Sequence, residues 1–136
     1  MTKITHKNVF QQLETWAPKS FAYDWDNVGL QVGSTKDETT GILVTLDVTE
    51  AIVDEALNVG ANLIVAHHPM LFKALKQIDV DSVKGKLIQK LIKHDITVYA
   101  SHEPRYCRGR GKRFIERSNR FKGDKTPYSY PSRFPC

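Results

Sequence analysis

Two adjacent histidines, His67 and His68, follow the apolar run "NLIVA" (62–66) and precede Pro69. A neutral imidazole ligates zinc, iron and related divalent ions. Inside a strand, neighbouring side chains point to opposite faces, so two adjacent histidines cannot reach one ion there. At a strand end the chain turns, and Pro69 lacks the backbone donor that would extend a ladder. In that position the two rings can serve one metal, or one ion each in a two-metal site. A complete site needs further carboxylates or histidines from other elements. The plainer alternative, two polar strand-end residues bonded to backbone, stays open on the pair alone.

The remaining chemistry-bearing residues say less. His102 follows another strand and reads as a loop residue; His94 ends a helix, and His6 lies in a polar leader. Asp47 stands at a third strand end, where an aspartate most often caps a helix, and Asp24 and Asp26 read as loop residues. "GSTK" (33–36) and "GRGK" (109–112) lack the phosphate-loop spacing, and no G-x-S-x-G elbow is present. No catalytic residue is assigned.

The elements that would position the pair follow from periodicity. "KNVFQQLETW" (7–16) places Val9, Phe10, Leu13 and Trp16 at helical spacing, with Asn8 as a cap and Pro18 beyond the end. Val28, Leu30 and Val32 alternate as in a short half-buried strand. "GILVTLD" (41–47) reads as an apolar strand. A helix follows over 49–59, with Thr49 as N-cap and Gly60 as the stop. Residues 62–67 form a second apolar strand, so the unit is βαβ, its strands parallel and covered on both faces. A helix over 82–93 lines one apolar face with Val83, Leu87, Leu91 and Ile92 and carries Lys90 and Lys93 in its last turn. "ITVYA" (96–100) is a last strand. The class is α/β with a mainly parallel sheet. In such sheets ligands bind outside the carboxyl ends of the strands, where His67 and His68 stand.

Composition divides the chain at residue 103. Residues 1–102 hold 10 Lys, no Arg and 12 Asp and Glu, a net −2; residues 103–136 hold 10 Lys and Arg and 3 Asp and Glu, a net +7. All 7 arginines and both cysteines, Cys107 and Cys136, fall in that last part. Neither cysteine has a metal-type partner. There is no signal-like or membrane-spanning apolar run, so the expectation is a cytoplasmic protein without membrane contact.

"DWDNVGLQVGS", "ILVTLDVTEAIVDEAL", "GANLIVAHHPMLFKALKQI" and "ITVYASH" together resemble the Nif-three-like family of dinuclear metal proteins, often described as GTP cyclohydrolase I type 2 homologues. The resemblance spans residues 1–102, in order. It implies an α/β fold, toroidal homo-oligomers that are commonly hexamers, and two divalent ions (zinc, iron or similar) with His67 and His68 among their ligands. It also implies a metal-dependent hydrolase, with GTP as a substrate by its description, or else a metal-handling role. In the family a segment like "TNLD" follows the strand, and its aspartate bridges the metals; here Tyr106 stands at that place. Of five ligands implied by the family, this chain retains two, so weak or partial metal binding and impaired catalysis are expected.

The tail offers a reason. With one choice of codons, "HEPRYCRGRGKRF" (102–114) becomes "HTNLDIAEGGVND" once two nucleotides are restored after the first codon. The restored string resembles the family's continuation. The expectation is an N-terminal α/β portion over 1–102 and a frame-shifted, disordered basic tail over 103–136. The rival reading makes the tail a nucleic-acid-binding module, its arginines on phosphates and Tyr106, Phe114, Phe121, Tyr128, Tyr130 and Phe134 stacking on bases. Charge alone also permits non-specific contact with nucleic acid.

Overall fold

The computed structural model of the chain describes residues 2–101. The expectations for Tyr106 and the basic segment 103–136, and for His102, lie outside them.

Helix α1 (His6–Trp16) opens the fold. Its cap is Thr5 rather than Asn8: both the Thr5 N–H and hydroxyl donate to Asn8 Oδ1, at 2.9 and 2.8 Å. Asn8 sits three residues inside the cap and reaches back to it, as a capping-box partner does. His6, expected in a polar leader, is fully buried. Strands β1 (Gly29–Val32), β2 (Ile42–Thr45), β3 (Leu63–Ala66) and β4 (Thr97–Ala100) form one sheet in the order β1-β4-β3-β2. β2, β3 and β4 are parallel, and β1 joins the β4 edge antiparallel.

The connections between the parallel strands are helices α2 (Glu50–Val59) and α3 (Val83–Lys93). Sheet order advances one way from β2 through β3 to β4, so right-handed crossovers place both helices on one face. The core agrees: Val53, Ala56, Leu87, Ile88 and Leu91 pack with Ile64 and Val98. On the opposite face Phe10 of α1 packs with Leu63, Val65 and Tyr99. The Phe10 and Tyr99 rings stack at 4.3 Å. The Tyr99 hydroxyl donates to Glu14 Oε1 at 3.3 Å, and burial pushes its pKa up to about 12.

α2 forms as its sequence dictates, with Thr49 Oγ1 accepting from the Ile52 N–H and Gly60 in the left-handed conformation at the C-terminus. α3 starts on Ser82, whose hydroxyl oxygen accepts from the Gly85 N–H. Two burial expectations fail. In α3 the buried stripe is Leu87, Ile88 and Leu91, while Val83 and Ile92 face solvent. The sheet runs past one side of the helix only, and the stripe is narrower than the apolar content suggests. β3 is buried along its whole length, but β2 is not. β2 is an edge strand among the described residues, and the cluster under α1 is built on Leu63 and Val65 of β3 and Tyr99 of β4. Leu30 of β1 is likewise exposed. A register shift between Leu30 and Val32 breaks the simple alternation with Val28.

Gly33 closes β1 at φ 109°. A Cβ there would stand 2.7 Å from the Thr97 Cα, so only glycine lets the chain leave β1 against β4. The Ser34 N–H then bonds Thr97 Oγ1 at 3.1 Å.

Candidate metal centre

β3 ends at Ala66, and His67 and His68 are the next two residues. The ladder outlasts the strands by two bonds, from the His67 N–H to Thr45 O at 3.0 Å and from the His68 N–H to Leu46 O at 2.9 Å. The backbone then bends, and both rings come to one place: their centroids lie 4.8 Å apart, with planes inclined at 58°. The pair therefore escapes the opposite-face geometry of a continuing strand. His67 is half-buried and His68 exposed.

The loop that follows is held from three sides. The Lys84 ammonium of α3 donates to Met70 O at 2.6 Å, and the Met70 side chain is buried. Asn27 Nδ2 donates to Leu71 O at 2.6 Å, and Gln31 Oε1 accepts from the Leu71 N–H at 3.0 Å. Gln31 Nε2 donates to Asn27 O at 2.8 Å, which ties the two braces together. An aromatic row closes the same side, Tyr23 stacking on Trp25 at 4.9 Å and Trp25 meeting Phe72 edge-on at 5.9 Å. The segment "DNVGLQVG" thus holds the loop after "HHP". Sequence reading gave Asn27 and Gln31 no role, because the contact spans about 40 residues and leaves no local pattern.

Asp47 stands at a strand end as expected, but not in the capping role read for it. It is not the cap of α2, which is Thr49. Its Oδ1 lies 2.8 Å from His68 Nδ1. The signal was present in the parallel register, because Thr45 pairs with Ala66 and two steps on bring Asp47 beside His68. Asp24 and Asp26 lie in the loop before β1, where the Asp26 N–H closes a turn on Tyr23 O. His94 ends α3 as expected.

The donor chemistry fits a divalent ion of the zinc or iron type, for which two imidazoles are ordinary ligands. A protein site needs at least one further ligand. Among the described residues no group of three or more His, Cys, Asp or Glu side chains could hold a metal. Nor does any helix among these residues have the length and apolarity to cross a membrane.

Comparison with known proteins gives a consistent picture. The profile of the Duf34/NIF3 (NGG1p interacting factor 3) family matches residues 4–105. A GTP cyclohydrolase 1 type 2 homolog of Halalkalibacterium halodurans is 45% identical over 96 residues, covering 71% of this chain and 26% of the relative. One of Bacillus subtilis is 42% identical over 99 residues, covering 73% and 26%. A Bacillus cereus protein related to NIF3 superposes with a TM-score of 0.72 at 42% identity, over 75% of this chain and 28% of that one. The chain spans about a quarter of the length of these relatives.

Proposed function

The chain belongs to the Duf34/NIF3 family, and from that premise we propose that it contributes His67 and His68 as two ligands of a divalent-metal centre. One observation carries the reading: two imidazoles set side by side beyond the carboxyl end of a buried parallel strand, on a loop braced from three sides. Ligands held before the ion arrives lose little freedom on binding it, so the bracing favours affinity as well as geometry. Gln31, Asn27 and Lys84 fix the backbone of the loop, and the two histidines offer ring nitrogens. The remaining ligands come from residues beyond those described or from a second subunit of an oligomer. A bound divalent ion supplies Lewis acidity and an activated water, the requirements of hydrolysis. The relatives' description as GTP cyclohydrolase 1 type 2 homologs makes GTP the first substrate to try.

Titration of the purified chain with Zn(II) or Co(II), beside His67→Ala and His68→Ala, tests the reading. Wild type should bind, and each variant should bind about tenfold more weakly or worse, since affinity follows ligand number. Equal affinity in all three proteins would remove both histidines from the site. GTP turnover lost in both variants would carry the reading on to substrate.

A further inference from the structure

Asp47 has no part in capping α2 and packs into neither core cluster. Its carboxylate Oδ1 lies 2.8 Å from His68 Nδ1. Resting on the metal-ligand reading above, we infer that Asp47 is a positioning residue that holds His68 in the tautomer whose Nε2 faces the metal.

The argument begins with backbone register. In parallel strands, residues at matched positions lie side by side. Thr45 is matched to Ala66, and the bonds from the His67 and His68 amides to Thr45 and Leu46 carry the match past both strands. Asp47 and His68 are therefore set next to one another by the sheet itself. The Thr45 hydroxyl donates to Asp47 O at 3.0 Å, which fixes the carboxylate's own backbone.

Proton placement follows from the chemistry of the two groups. A carboxylate can only accept, so a 2.8 Å contact requires the proton on His68 Nδ1. The neutral ring then carries its lone pair on Nε2, the nitrogen pointing away from Asp47. A histidine free in water prefers the other arrangement, with the proton on Nε2. Asp47 thus reverses the intrinsic preference and also orients the ring plane. Carboxylates behind metal-bound histidines play this part in general, setting tautomer and ligand basicity.

A purely structural role fits poorly. The two side chains are 51% and 66% exposed, and contacts between exposed charged groups contribute little to stability.

The test uses the full chain as wild type, Asp47→Asn, Asp47→Ala, His67→Ala and His68→Ala. The first readout needs no metal: imidazole 15N shifts of His68 at about pH 8, where histidine in water is neutral. Wild type should show a protonated Nδ1 and a bare Nε2. Asp47→Ala should move His68 toward the Nε2–H form, and Asp47→Asn should give a mixture, because an amide can donate as well as accept. The second readout is Zn(II) affinity, expected to fall about 10- to 100-fold in the Asp47 variants with the unfolding midpoint little changed. Unchanged 15N shifts in both Asp47 variants would overturn the inference even if the histidine variants lose metal. Zinc affinity indifferent to every substitution would instead overturn the metal reading, and with it Asp47's purpose. A tautomer change with unchanged zinc affinity would overturn the inference alone, provided His68→Ala still weakens binding.

Discussion

His6 is a titratable ring sealed in the core beside Phe10, at 6.3 Å between centroids. Its Nδ1 shares a 2.7 Å hydrogen bond with Thr39 Oγ1, and Nε2 finds no partner among the described residues. Burial disfavours the imidazolium and holds the pKa below the ordinary 6.5, against a smaller upward pull from Asp37. Between the folded value and 6.5 the unfolded chain binds the extra proton. Stability from His6 is therefore complete above the unfolded value and drains away as pH falls below it toward the folded one. Denaturation of wild type and His6→Gln at about pH 7.5 and about pH 5.5 should show a smaller acid loss in the variant. At neutral pH the substitution should cost about 1–3 kcal/mol through lost packing. An identical acid loss in both proteins would mean that other groups carry the pH dependence.

At the scale of the element, α3 is tied at its start by a turn that leaves no room. The Ser82 hydroxyl donates to Asp79 O at 2.6 Å and accepts from the Gly85 N–H at 3.0 Å. Alanine is the better helix former by about 1 kcal/mol, so Gly85→Ala would stabilise an open helix. Here its Cβ would overlap the Asp79 carbonyl and stand 3.0 Å from Ser82 Oγ. Urea denaturation should therefore show a net loss of about 1–3 kcal/mol, the range for overpacking. A gain in stability would show that the turn yields freely. The local signals of these elements were legible in the sequence. Thr49 and Gly60 bound α2 as cap chemistry says, Ser82 caps α3 where the sequence reading starts the helix itself, and the strand centres fall on the apolar runs. What was not legible depends on neighbours. Val83 and Ile92 are as apolar as Leu87, and only the position of the sheet decides which face is buried. "ILVT" reads like "LIVA", yet one is an edge and the other a centre. Likewise the pair His67-His68 could be read from type and place, whereas Asp47 and Gln31 needed register and loop packing across the chain.

At the scale of the whole molecule, the exposed side of β2 dominates. Ile42, Val44 and Leu46 are 47%, 78% and 66% exposed. They alternate along a strand that is an edge among the described residues, the arrangement that invites pairing with another chain. Val44→Lys should raise the concentration at which the protein self-associates, measured by light scattering, and change stability by no more than about 0.5 kcal/mol. Unaltered scattering would show that association runs through another surface. The far edge has a consequence in time. β1 is the first strand in the chain, yet its partner is β4, the last of the four. β2, β3 and β4 can be joined through successive local crossovers, each closing a short loop. β1 must wait until its distant partner exists, and long loop closures come late. Asn27 and Gln31 travel with β1, so their braces on the loop after His67-His68 close in the same final step. The placement of the imidazole pair therefore depends on the longest-range pairing in the described sheet and not on β3 alone.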